Sequence, residues 1–529
     1  MADDLLAPFA TRYAPIGMVC SVDHLASAAG VAMLRTGGSA ADAAVAASAV
    51  LAVTSQHLCG MGGDLFALVH DGTGPPAVLN ASGRAGSGAD PERARADGLA
   101  ALPLRGDIRS VPVPGCVDGW VALHERFGRL PLGDVLEPAA RYAEDGFPAS
   151  PTLAGLVPSV SHLAGAEDYR TGAPVRPGDL LRRPGVATAL RAIGKGGRAT
   201  WYEGAFGEDL LRLGAGEYVA ADLARSQADW VEPLGRTVWD VDVWTVPPNS
   251  QGYLTLSSAR LVEPLGLPDD PADPEWAHRL VEATRQAGQD RLAVLHEGAD
   301  GPSLVDDRRL DPRRARIGAA RASIPAEPPP LGGDTIHLAA VDGARMGVSL
   351  IQSNASGWGA HLVVPKARVF LHDRGIGFSL QPGHPAEYGP GRRPPSTLSP
   401  TLLTTPDGRL HGVVGTMGGD SQPQILLQLL ARLLHGGEDP GRAVASGRWT
   451  LDAGLSGFAT WSPASEGRVL VEGHAPAGWE PGLAERGHPV LRTAPFGHQY
   501  GHAHVILAGG DRLAGASDPR PRSGAASGY

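Results

Sequence analysis

The sequence predicts a layered α/β fold, and three features predict it. Two apolar helical segments follow one another near the N-terminus. Strand pairs stand at 65–79 and 335–352. A further strand at 411–417 runs into a leucine-rich helix, so strands lie between helical stretches along the chain. Taken in order, Asp23 can cap a helix over 24–36, in which Leu25, Ala29, Ala32 and Met33 recur at helical spacing before Gly37-Gly38 ends it. Ser39 starts a second, alanine-rich helix to residue 53. So tight a joint predicts antiparallel packing, and the small side chains permit close approach. After the cluster Gly60-Met61-Gly62-Gly63-Asp64, residues 65–70 and 77–79 read as strands around Asp71-Gly72. From 110 to 310 helices alternate with Pro/Gly loops. The stretch 323–330 (SIPAEPPP) should be extended and exposed. Strands at 335–341 and 346–352 flank Gly343, and 362–370 continues in similar style. The strand at 411–417 ends in Gly418-Gly419. Asp420 or Ser421 can then cap a helix over 424–435, with Pro423 in its first turn.

Composition excludes several function classes. Of 529 residues, 43% are hydrophobic and 19% charged, which suits a packed core and not a disordered chain. Glycine and proline are frequent but aperiodic, against collagen-like or low-complexity architecture. A formal net charge of -10 with no basic run gives phosphate nothing to bind, so nucleic acid is not an expected partner. Cys20, Cys59 and Cys116 lie far apart without a CxxC, as fits a reduced cytosol. Residues 1–15 carry Asp3 and Asp4 and no apolar stretch, unlike a secretory signal. The longest apolar run, 40–53, is broken by Asp42 and too short to cross a bilayer. A cytoplasmic protein without a membrane partner is the expectation. Neither a GxGxxG, a P-loop nor a Gly-x-Ser-x-Gly elbow occurs in a plausible setting.

Distinct blocks recur in order along nearly the whole chain: GMGGDLFALV (60–69), SVPVPGCVDGW (110–120), WYEG (201–204), VPPNSQG (246–252), DTIHLAAVD (334–342), RPPSTLSPTLL (393–403), GTMGGDSQPQ (415–424) and ASDPR (516–520). In that order they resemble the γ-glutamyltransferase family. The resemblance implies the four-layer αββα Ntn-hydrolase sandwich. It implies a precursor that cuts itself, here between Asp334 and Thr335, into a large subunit (1–334) and a small subunit (335–529) intertwined in one globule. The two would form a heterodimer, or a dimer of heterodimers, and the Pro-rich 323–334 would become the large subunit's loose tail. It implies no cofactor and a small-molecule acyl or γ-glutamyl substrate.

The resemblance also implies roles. A threonine hydroxyl is a weak nucleophile and needs a base in reach. Self-cleavage supplies one, because the new α-amine of Thr335 has an ordinary pKa of about 8. Ser353 falls where the family has a hydroxyl bonded to the nucleophile, with Ser for the usual Thr. Gly418-Gly419 match the glycine pair whose amides hold an oxyanion. Ser396 and Thr397 match a hydroxyl pair that binds the substrate carboxylate. Three positions depart from the pattern. Ser82 stands where an arginine grips the glutamyl carboxylate, with Arg84 two residues on as a substitute or a loop cap. Gly377 replaces the acid that holds the α-amino group. Ala355 replaces an asparagine. The glutamyl pocket is thus expected to be remodelled around retained chemistry. His337, on the face of Thr335, either lines the site or packs. His498, His502 and His504 lack a metal-ligand spacing, so no metal is expected. An amide-cleaving hydrolase or transferase leads these readings. A carbon–carbon hydrolase of an antibiotic-type pathway and an unprocessed, non-catalytic binding relative are the alternatives.

Overall fold

The computed structural model describes residues 10–322, 334–452, 460–461 and 467–529; the Pro-rich stretch 323–330 and residues 331–333 lie outside them. Asp23 accepts a hydrogen bond from the Leu25 amide and begins helix His24–Arg35. Ser39 and Asp42 form a reciprocal capping box on helix Ala40–Thr54. Every residue of that second helix is buried. Its alanines let the first helix pack on one side and strands on another, as an apolar circumference requires.

Among the described residues, two seven-stranded antiparallel sheets form the centre. The first runs, in spatial order, Ala525–Gly528, Met18–Ser21, Asp334–Val341, Gly347–Ala355, Asp64–His70, Ala77–Ala81, Asp229–Val231. The second runs Arg12–Ala14, Arg512–Ser517, Ala503–Gly509, Leu410–Thr416, Thr401–Thr404, Val241–Thr245, Leu234–Val238. Alternation along each strand sends one set of side chains between the sheets, where Met18, Phe66, Ile351, Leu402, Val413 and Ile506 meet. The other set faces helices. Ala40–Thr54, Cys116–Phe127, Leu132–Asp145 and Pro184–Tyr202 cover the first sheet. Tyr253–Val262, Pro274–Gly288 and Gln422–Leu430 cover the second. The chain is therefore a layered α/β protein in the order helix, sheet, sheet, helix.

Three local expectations need correction. Residues 362–370 do not form one strand. They make the short pair Val363–Val364 and Val369–Phe370, with Arg368 at φ +51° closing the turn. The leucine-rich helix starts earlier, at Gln422, and after Leu430 finishes in a π turn over Ala431–His435. Ser421 occupies its N-cap position, but its side chain accepts no capping hydrogen bond, and a 3₁₀ turn, Gly419–Ser421, precedes the helix. Asp420 instead faces Arg291 at 3.5 Å.

The ASDPR block is structural. Asp518 pairs with Arg448 at 2.7 Å and Arg520 at 3.0 Å, and Arg520 Nε donates to Glu472 at 2.9 Å; all four side chains are buried. Burial opposes ionisation of Asp518, but the two guanidinium groups hold its carboxyl well below the usual range. Its stabilising contribution is present above the ordinary carboxylate pKa and is lost as pH falls through and below it. Asp518→Ala leaves the buried Arg448 guanidinium without its carboxylate, while Arg520 keeps Glu472, and is expected to cost about 3–5 kcal/mol, read as a lowered urea midpoint at pH 7.

Candidate active site

Strand Asp334–Val341 pairs with Gly347–Ala355, but the register shifts between Asp334 and Ile336. Thr335 sits in that irregularity. It is fully buried, and its Oγ1 lies 3.1 Å from Ser353 Oγ. Ser353 Oγ also accepts from the Ala355 amide at 2.8 Å and from Arg374 at 3.0 Å. Ala355, at φ +69°, turns the chain out of the strand there.

Arg374 links the parts of the site. Its Nε donates to Asp64 at 3.2 Å and its NH1 group to Thr397 Oγ1 at 3.1 Å. The glycine cluster before Asp64 allows this approach: a Cβ on Gly63 would stand 2.2 Å from the Ser353 carbonyl oxygen. On the second sheet, strand Leu410–Thr416 ends in Gly418 at φ +139° and Gly419 at φ +55°. Among the described residues, the amides of these two glycines meet no acceptor. Gln251 Nε2 donates to the carbonyls of both Gly419 (3.0 Å) and Thr397 (3.1 Å). Arg291 Nε in turn donates to Gln251 Oε1 at 2.9 Å. A continuous hydrogen-bonded path thus joins the Gly418-Gly419 turn, Gln251, Thr397, Arg374, Ser353 and Thr335. A cavity of about 790 Å³ opens onto this path. Arg374, Thr397, Gly377, Arg291 and Asp420 contribute to its wall, with Leu102, Leu292 and Phe378.

The remaining sequence candidates are placed less centrally. Of the hydroxyl pair, Thr397 reaches the cavity. Ser396 is fully buried, its amide bonded to the Asn249 carbonyl and its Oγ to the Leu398 amide. Ser82 Oγ is bonded to Asn80 and Asn249. Arg84 pairs with Asp229, which also takes Arg393 at 3.0 Å, so its charge is spent outside the cavity. Gly377 does line the cavity, and a Cβ there would lie 2.5 Å from the Pro395 carbonyl oxygen. His337 packs between the sheets. Its Nε2 meets Ser349 Oγ at 3.0 Å, and its ring covers Gly415 and stacks on His504. The face it shares with Thr335 is closed by the second sheet at that depth. His498 Nδ1 lies 2.8 Å from His502 Nε2, and no group of metal-ligating side chains occurs among the described residues.

Sequence reading gave no site role to Arg374, Asp64, Gln251, Arg291 or Asp420. Asp64, Gln251 and Asp420 stand inside quoted blocks, and Asp420 reads only as a helix cap. Arg374 had no signal, since its partners are 310, 23 and 21 residues away.

Burial, only partly opposed by the Asp518 charge, lowers the His504 pKa to about 4. A histidine depressed on folding stabilises the protein fully above its ordinary pKa of about 6.5. That stability drains as pH falls through this window toward the folded value. The melting temperature is expected to drop between these limits, and less steeply in His504→Met, measured by scanning calorimetry across pH.

The family model for γ-glutamyltranspeptidase matches residues 26–529. A glutathione hydrolase-like YwrD proenzyme of Bacillus subtilis is 35% identical, over 95% of this chain and 97% of its own. An oxamate amidohydrolase proenzyme of Klebsiella pneumoniae is 34% identical, over 97% and 98%. The crystal structure of cephalosporin acylase from Bacillus halodurans superposes with a TM-score of 0.88 at 30% identity, covering 98% of this chain and 97% of that one.

Proposed function

The chain belongs to the γ-glutamyltranspeptidase family of Ntn hydrolases and transferases, and we propose that it cuts itself before Thr335 and then cleaves a small-molecule amide with that residue. The observation that carries this reading is the 3.1 Å contact between Thr335 Oγ1 and Ser353 Oγ at the strand irregularity. In the first step Thr335 Oγ attacks the Asp334 carbonyl carbon. The peptide C–N bond breaks, the nitrogen takes a proton and becomes the α-amine, and water hydrolyses the resulting ester. The same oxygen, its proton taken by that amine, then attacks the substrate carbonyl. The Gly418 and Gly419 amides are suited to hold the tetrahedral oxyanion, and Gln251 fixes their turn from behind. The leaving amine departs with a proton, and water or a second amine releases the acyl group.

Amide cleavage is favoured over carbon–carbon cleavage by the relatives, which are named as an oxamate amidohydrolase, a cephalosporin acylase and a glutathione hydrolase-like protein. The large and small subunits of one precursor are the proposed partners. Among the described residues no helix is long and apolar enough to cross a membrane, and we place the enzyme in the cytoplasm. Intact mass spectrometry of the purified protein tests the reading. Two chains meeting between residues 334 and 335 are expected. A single chain that keeps the full 54.6 kDa through mild incubation would end it.

A further inference from the structure

The two glycines that would hold the oxyanion have little stiffness of their own, because glycine resists few backbone conformations. The direction of their amides has to be set by neighbours. Inside the turn the Ser421 amide donates to the Gly418 carbonyl at 2.9 Å. The next peptide unit is held from outside it: the Gly419 carbonyl accepts from Gln251 Nε2 at 3.0 Å. A peptide unit is planar, so holding its oxygen sets the rotation of the whole unit. The same Nε2 donates to the Thr397 carbonyl at 3.1 Å. On its other side the carboxamide oxygen accepts from Arg291 Nε at 2.9 Å. Gln251 is fully buried and Arg291 nearly so. Arg291 opens the short helix Arg291–Val294 and stands in none of the sequence blocks. The far end of its guanidinium faces Asp420, the residue after Gly419, at 3.5 Å. One side chain thus grips the turn twice, through Gln251 at the Gly419 carbonyl and directly at Asp420.

We propose that Arg291 is a positioning residue for the oxyanion turn and acts through Gln251. This rests on Thr335 being the nucleophile and on the Gly418 and Gly419 amides holding the oxyanion. The last torsion of a glutamine is broad and roughly two-fold, so a carboxamide left to itself can exchange its oxygen and nitrogen. An exchange here would turn the oxygen of Gln251 toward the Gly419 and Thr397 carbonyls, and the turn would lose its hold. A guanidinium carries donors and no acceptor, so Arg291 admits only the oxygen and keeps the two hydrogens on the carbonyls. The Thr397 bond extends the effect across the site. Thr397 Oγ1 accepts from Arg374, Arg374 reaches Ser353, and Ser353 meets Thr335. Gln251 therefore fixes the turn on the second sheet relative to the nucleophile on the first. Donors aimed at developing charge act in the transition state, so slack in this turn lowers kcat and leaves KM nearly unchanged.

The test uses self-cleaved enzyme and a panel of p-nitroanilides, acetyl, butyryl and γ-glutamyl, of which the fastest is kept for the variants. Arg291→Met is expected to lose about 10- to 100-fold in kcat, less than removal of an oxyanion donor outright, with KM within about threefold. Arg291→Lys should fall between, because an ammonium keeps the charge and cannot serve Gln251 and Asp420 together. Gln251→Leu, which has no donor, should lose at least as much as Arg291→Met. Residues that act as one unit are not additive, so the double variant should match the worse single within about threefold. A rise in KM with unchanged kcat, or losses that multiply in the double variant, would overturn the role. So would recovery of kcat by Asp420→Asn in the Arg291→Met background, which would assign the loss to a stranded carboxylate. If Arg291→Met is unfolded by circular dichroism, Arg291→Lys decides by the same split between kcat and KM. A lysine variant that is also unfolded, or a folded variant that no longer cuts itself, makes Arg291 a residue of the precursor's fold and overturns the role as well. Processed wild type that turns over none of the panel removes the amide reading, and the role with it. Wild type that never processes removes the Thr335 reading first, a failure seen in intact mass before any variant is made.

Discussion

Thr335→Ala is expected to remain one chain of 54.6 kDa and to lose at least about 10⁴-fold in amidase activity. Two losses combine. The hydroxyl that would attack the Asp334 carbonyl is gone, so no new α-amine is released. The hydroxyl that would carry the acyl group is the same one. Thr335→Ser is the informative control, because it keeps the oxygen within reach of Ser353 and loses only a methyl group. It should process, more slowly, and retain measurable turnover. Intact mass against time separates the variants, and circular dichroism checks that Thr335→Ala is folded. An alanine variant that still splits before residue 335 would show that another group performs the cut.

Gly418→Ala should leave binding nearly intact and lower kcat by about 10²-fold. Gly418 stands at φ +139°, a conformation an L side chain rarely adopts, and an added Cβ would press on Ile425 at 3.2 Å. The turn must rotate to accept it, and the Gly418 and Gly419 amides rotate with it. Their service is owed to the charge that develops on the carbonyl oxygen, so the loss belongs to the transition state and KM should change little. A rise in KM with unchanged kcat would instead place this turn in substrate binding. Steady-state kinetics on the best nitroanilide decides between them.

The two predictions draw on evidence of different kinds. The capped helices at 24–35 and 40–54 could be read because caps, spacing and end glycines are local. Thr335, Ser353 and Gly418-Gly419 were legible through ordered family blocks, and their neighbourhood is consistent with that reading. The fate of Arg84 was not legible. Its distance from Ser82 made it a candidate anchor, but Asp229, 145 residues later, takes its charge. Arg374 was passed over because the segment was read only for the acid missing at Gly377. Its value comes from Asp64, Ser353 and Thr397, which lie on other elements. His337 shows the same limit in another form. Strand alternation put it on the Thr335 face, yet the opposing sheet, with Gly415 and His504, turned that position into packing.

The sequence by itself determined the layered class, the starts of the first two helices and the residues that the family pattern would make chemical. It could do so because backbone propensity, side-chain periodicity and motif order act over a few residues. Only the tertiary structure decided which cations face the cavity and which are already paired. A charge's role depends on what lies within a few ångströms of it, and here those neighbours come from strands and turns far apart in the chain.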